Sequence, residues 1–230
     1  MKTVVVFSAG PVRSLESITD DLRARIESMK PDLAVAADGG ADLAGVLGFT
    51  PDVVVGDMDS VTPRSLALAD ERGAKTELYP ADKESSDFEL ALATAASAGA
   101  DEIVVVGSDS GRMDHLVATV TTMASPRFAP LRMMAFLGGT SVAVLNGAPL
   151  GSELSDKRVI DGSPGTWVSL FAFNGDVSGV STSGLRWPLN AEVLRAGSSR
   201  GVSNEFLSDT ASVRVGEGCL VVVVPERRAA

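Results

Sequence analysis

The chain has 230 residues, 45% hydrophobic and 22% charged, enough for one large or two smaller folded domains and too apolar for wholesale disorder. Its 23 glycines follow no period of three, which excludes a collagen-like fibre. Twenty Lys and Arg against 30 Asp and Glu leave a formal charge of −10, which repels nucleic acid and anionic membranes and calls for a local reversal of sign, most simply a divalent cation, at any site for an anion.

Residues 3–7, Thr-Val-Val-Val-Phe, read as a buried strand, and the run is too short for a signal-peptide core. Leu15, Ile18, Leu22, Ile26 and Met29 recur at steps of three and four and predict an amphipathic helix. A second strand at 33–37 is followed by Gly39-Gly40 and a short helix near 41–47, then a third strand at 53–55. Thr62 as N-cap with Pro63 in the first turn opens a helix to about Glu71. A short strand at 75–78 precedes the capping box of Ser86 and Glu89, which predicts a helix over 87–98. A fifth strand at 103–106 and a helix near 114–123 complete an alternation that implies a parallel sheet with right-handed crossovers.

Beyond this point the texture becomes rich in Ser, Gly and Val. Strands are expected at 131–137, 141–145, 167–173, 177–182, 212–215 and 219–224, with turns at Asn146-Gly147 and Asn174-Gly175-Asp176 and a frayed tail over 225–230. The fold class is therefore α/β: a parallel Rossmann-like sheet domain over 1–140, then a smaller antiparallel β-sandwich domain over 141–230. Charge divides at the same place, with 12 basic and 21 acidic residues in 1–140 against 8 and 9 in 141–230. No run approaches the length of a membrane span, and the cytoplasm is the expected compartment.

Several chemistries drop out. One cysteine, Cys219, excludes an internal disulfide and a Cys-based zinc cluster and reads as a buried filler beside Leu220 and a valine run; with a single histidine, a zinc enzyme fits poorly. There is no Gly-x-x-x-x-Gly-Lys-Ser/Thr loop and no Gly-x-Gly-x-x-Gly opening the first helix. A serine hydrolase would need His115 as its base, and the Gly-x-Ser-x-Gly string at 197–201 opens no predicted helix and so forms no nucleophile elbow; that reading does not fit.

The aspartates carry the signal. Asp38-Gly39-Gly40 ends the second strand, and Gly56-Asp57-Met58-Asp59-Ser60 ends the third. Asp82-Lys83 follows the fourth, Asp87 opens the next helix, and Gly111-Arg112-Met113-Asp114-His115 follows the fifth. In a parallel sheet all these segments lie beyond the carboxyl ends of the strands, where open α/β sheets bind ligands. One Asp there is an ordinary turn or cap residue; Asp109 reads as no more than that. The set together would repel itself, and a hard divalent cation resolves the conflict, magnesium suiting carboxylate oxygens shared with phosphates. Asp57 and Asp59, two apart in an extended segment, share a face, and Asp87 in a first helical turn suits the helix dipole.

At these residues the sequence resembles the thiamine pyrophosphokinase family. The matching motifs are Asp38-Gly39-Gly40-Ala41, Pro51-Asp52 leading to Gly56-Asp57-Met58-Asp59-Ser60, Asp82-Lys83 with Ser86-Asp87, and Gly111-Arg112-Met113-Asp114-His115. Ser181-Thr182-Ser183-Gly184-Leu185-Arg186-Trp187-Pro188-Leu189 and Val202-Ser203-Asn204-Glu205 follow in the family's order. The resemblance implies an ATP-dependent enzyme that transfers a diphosphate group to the hydroxyl of thiamine and releases AMP. It implies magnesium on Asp57, Asp59 and Asp87, and a nucleotide and phosphate site lined by Asp38, Gly39, Gly40, Ser60, Asp82, Lys83, Arg112, Asp114 and His115. It implies thiamine contacts from Trp187, Ser203 and Asn204 in a homodimer whose thiamine site is shared between subunits.

The chain departs from the family pattern at Ser86, where Thr is usual, and at Ser110, where Gly is usual, while the position of His115 is Gln in some relatives. Lys83 and Arg112 would neutralise phosphate charge, and either Asp87 or Asp114 would accept the alcohol's proton. Thiamine is a cation, which a net-negative site favours and which Trp187 would face or stack upon. The alternatives are a pyrophosphokinase of the same fold acting on another alcohol, such as a pterin, and a non-catalytic nucleotide-binding module.

Overall fold

The computed structural model describes residues 1–8, 10, 19–108, 111–147 and 156–225. Leu15 and Ile18 of the first predicted helix, Asp109 and Ser110, and most of the expected tail lie outside the described residues. The chain divides into two compact units, Met1–Thr122 with Leu131–Gly139, and Met123–Pro130 with Thr140–Ala230.

The first unit is built on β1 (Thr3–Ser8), β2 (Leu33–Ala37), β3 (Val53–Gly56), β4 (Lys75–Leu78), β5 (Glu102–Gly107) and β6 (Arg132–Leu137). They run in the order β4-β3-β2-β1-β5-β6, every neighbouring pair parallel. Val4, Val5, Val6 and Phe7 of β1 have no solvent-exposed surface, because helices cover both faces of such a sheet. Each such side chain contributes about 1.5–3 kcal/mol by leaving water.

The crossovers carry α1 (Thr19–Ser28), α2 (Gly40–Val46), α3 (Pro63–Glu71), α4 (Asp87–Ser97) and α5 (Met113–Met123). The predicted caps form: the Thr62 hydroxyl accepts the Ser65 N–H, and the Ser86 hydroxyl accepts the Glu89 N–H. Gly40 is required by packing, since a Cβ there would stand 2.1 Å from the carbonyl oxygen of Phe7.

The strand at 131–137, grouped by its texture with the antiparallel part, instead pairs parallel to β5 as β6. A run of Met, Ala, Phe and Leu buried by its neighbours carries no mark of strand direction.

The second unit is antiparallel. It contains β7 (Thr140–Gly147), β8 (Asp156–Asp161), β9 (Trp167–Ser183), β10 (Glu192–Leu194), β11 (Asn204–Glu205), β12 (Thr210–Val215) and β13 (Glu217–Val224). The two strands expected at 167–173 and 177–182 are one continuous strand, β9. Asn174 (φ 59°) and Gly175 (φ 139°) adopt the left-handed conformations of a turn, yet they bend the strand rather than reverse it. The first half of β9 pairs with β13, which pairs with β7; the second half pairs with β12, which pairs with β8. The resulting sheets share a core that includes Leu145, Val168, Leu170, Val180, Phe206, Val213 and Leu220.

Candidate active site

The strand order places a topological switch at β1, with β2 to one side and β5 to the other, and the loops after β2, β3 and β5 all open on the carboxyl edge of the sheet. Asp38 leaves β2 in a left-handed conformation, φ 46°, and its side chain is buried. The carboxylate accepts the N–H of Ser60 at 3.1 Å and the N–H of Val61 at 3.0 Å, which ties the end of β2 to the loop after β3. Burial pushes its pKa above the ordinary value, and the two N–H groups only partly offset this.

That loop is itself tightly set. Gly56 has φ 146°, and a Cβ on it would lie 2.9 Å from Asp87 Oδ1 and 3.1 Å from the Cβ of Asp38. Met58 sits at φ 62°, a conformation that costs a side-chain-bearing residue about 1 kcal/mol or more. The effect is to bring carboxylate oxygens of Asp38, Asp57 and Asp59 within 4.8 Å of one another. Ser60 donates its hydroxyl to Asp59 Oδ1 at 2.8 Å.

Lys83 ties in the remaining acid. Its ammonium lies 3.0 Å from Asp57 Oδ2 and 3.1 Å from Asp87 Oδ1, although Asp87 Oδ1 is not in hydrogen-bonding geometry with it. Hydrogen bonding to Lys83 holds the Asp57 carboxyl below its ordinary range. Burial works against the charge on Lys83, but its carboxylate partners outweigh that and raise its pKa.

The donor set suits a hard divalent cation. Oxygens only are offered, Asp57 Oδ1 is shut off from solvent with no hydrogen-bond donor, and a cationic ammonium already lies among the acids. Asp57 and Asp59 thus meet, though through the left-handed turn at Met58 rather than on one face of an extended segment. The third acid within reach of both is Asp38, and Asp87 joins through Lys83 and its approach to Gly56.

The other predicted residues fall into four places. Gly39 caps α2, Gly40 packs under β1, and Asp82 is exposed in the loop leading to Lys83. Arg112 and Asp114, at the start of α5, pair with each other through contacts of 3.1 and 2.5 Å; the pairing lowers the carboxyl's pKa, and His115 beside them is exposed.

In the second unit Asn204 is buried and clamps Trp187 from both sides: its Oδ1 accepts the Trp187 N–H at 3.1 Å, and its Nδ2 donates to the Trp187 carbonyl at 2.7 Å. This clamp leaves the indole 55% exposed, with the Arg186 guanidinium 5.0 Å over the ring and paired to Glu205. Ser203 is held at φ 57°, its N–H donating to Ser169 Oγ.

Sequence reasoning passed over Asp42, whose carboxylate accepts the Thr62 N–H and the hydroxyls of Thr62 and Ser65, fixing α2 to the cap of α3. Its place four residues after Asp38 was the available signal. Arg186 and Glu205 were visible only as members of motifs.

Comparison with known proteins agrees across both units. The family description "Thiamin pyrophosphokinase, catalytic domain" matches residues 24–135, and "Thiamin pyrophosphokinase, vitamin B1 binding domain" matches residues 157–220. The thiamine pyrophosphokinase of Bacillus subtilis (strain 168) is 21% identical over 223 residues, covering 97% of this chain and 98% of its own. Thiamine pyrophosphokinase 1 of Oryza sativa subsp. japonica is 25% identical over 202 residues, covering 79% of this chain and 74% of its own. A crystal structure of thiamine pyrophosphokinase from Bacillus subtilis superposes with a TM-score of 0.77 at 19% identity, over 99% of this chain and 100% of that one.

Proposed function

The chain belongs to the thiamin pyrophosphokinase family, and on that premise we propose that it moves a diphosphate group from ATP to the hydroxyl of thiamine, releasing AMP, at a magnesium site made by its strand-end aspartates. The observation that carries this reading is the meeting of Asp38, Asp57 and Asp59 within 4.8 Å, with Lys83 joining Asp87 to them.

Asp57, Asp59 and Asp87 hold the ion, with Asp38 near enough to contribute or to fix the loop. Magnesium, when bound, neutralises phosphate oxygens and makes the β-phosphorus more electrophilic. The chain's own task is then positioning and charge neutralisation, as phosphoryl-type transfer demands. Gly39 and Gly40 bring backbone close to the nucleotide, with Ser60, Asp82 and His115 lining it. Lys83 and Arg112 face the phosphates, where the planar fork of Arg112 suits two oxygens at once. Asp87 or Asp114 takes the proton that leaves the attacking hydroxyl.

The second unit supplies the acceptor site. Trp187 presents a ring to the cationic vitamin, supported by the exposure that the Asn204 clamp maintains. Ser203 and Asn204 complete the contacts, in a homodimer that shares the site between subunits and works in the cytoplasm.

The test is to supply the purified protein with ATP and magnesium together with thiamine or with a pterin alcohol. Diphosphate transfer to thiamine alone is expected. Transfer to the pterin alone would move the assignment to another acceptor, and nucleotide binding without transfer to either would make the chain a binding module.

A further inference from the structure

The ammonium of Lys83 already donates to Asp57 and pairs by charge with Asp87, two of the acids that the proposed metal would use. It stands 3.0 Å from Asp57 Oδ2 and 3.1 Å from Asp87 Oδ1, and its side chain is only 13% exposed. A divalent ion on the same carboxylates would lie about 2 Å from their oxygens, close enough to an ammonium in the same place for strong repulsion. A buried ammonium stripped of its partners is also costly unless another anion receives it. Lys83 has the means to move: a four-carbon stem with three donors, in the loop between β4 and α4 and next to the exposed Asp82.

We infer that Lys83 competes with the divalent ion for Asp57 and Asp87, and yields those carboxylates when nucleotide phosphates offer it a new partner. The inference rests on the magnesium reading above and adds to it a coupling: metal binds poorly by itself and well together with nucleotide. By linkage, nucleotide binding gains from the metal by the same factor. Lys83 thereby guards the acids against their mutual repulsion and delays metal loading until ATP arrives.

The test is direct binding of Mn2+, followed by the electron paramagnetic resonance of the free ion, to the full chain as wild type, Lys83→Met and Lys83→Arg. Without nucleotide, Lys83→Met is expected to bind Mn2+ about tenfold tighter than wild type, since the competing charge is gone. Lys83→Arg, which keeps that charge, is expected to remain as weak as wild type. If Lys83→Met does not fold, the wild type still decides: the Lys83 ammonium resonance in nitrogen-15 NMR should shift when Mg2+ and a non-hydrolysable ATP analogue are added together. Mn2+ affinity in Lys83→Met no tighter than in wild type, or an ammonium resonance indifferent to Mg2+ and analogue, would overturn the competition while leaving diphosphate transfer standing. Failure of every variant to bind Mn2+, even with the analogue, would overturn the metal site and this inference with it.

Discussion

Asp57 and Asp38 stand side by side with opposite titration. Pairing with Lys83 lowers the pKa of Asp57, whereas burial raises that of Asp38. A lowered pKa means that the Asp57–Lys83 pair contributes its full stability above the ordinary aspartate range and loses it as pH falls through the lowered value. The difference in melting temperature between wild type and Asp57→Asn should therefore be widest near neutral pH and close on acidification; a gap that widens in acid would refute the pairing. Asp38 has the reverse sign, its contribution present in acid and lost as pH rises through its raised value. Trp187→Ala should raise the KM for thiamine at least tenfold, a loss of about 1.4 kcal/mol of binding, with little change in the KM for ATP. Equal effects on both substrates would mean that the ring packs rather than recognises. The meeting of Asp57 and Asp59 was expected from an extended segment, but the left-handed Met58 between them shows that a tight loop, not a shared strand face, brings them together. The bridge by Lys83 was not legible, because it depends on where the loop after β4 folds back, which periodicity does not encode.

Elements with their own caps were legible. Thr62 with Pro63, and Ser86 with Glu89, mark helix starts by local hydrogen bonds, so α3 and α4 begin where the sequence places them. Asp87 is the first residue of the helix that the Ser86 cap begins. Ser86→Ala should cost about 1 kcal/mol of stability and should weaken metal binding as Asp87 loses its fixed place. Unchanged metal affinity in a destabilised variant would separate the cap from the site. The second unit was harder to read. In β8 the buried Arg158 alternates with Ile160, but Lys157, Asp156 and Asp161 conceal the apolar period. β10 and β11, of three and two residues, are too short for any period to show. The Asn174-Gly175 pair reads locally as a turn; only the pairing of the flanking residues with β13 and β12 makes it a bend within β9.

At the scale of the molecule, the two units carry separate cores. Most of the negative charge belongs to the part that holds the strand-end aspartates; under the proposed function a chain of net charge −10 would handle a polyphosphate through a cation held by those acids. The second unit contributes an exposed indole held by a buried asparagine. The most direct measurement is phosphorus NMR of the purified protein with ATP and thiamine, titrated with Mg2+. Thiamine diphosphate and AMP should appear in equal amounts with Mg2+, and neither should form when the ion is chelated. Products that form at the same rate under chelation, or ADP with thiamine monophosphate in place of AMP with thiamine diphosphate, would contradict diphosphate transfer at a carboxylate-held metal.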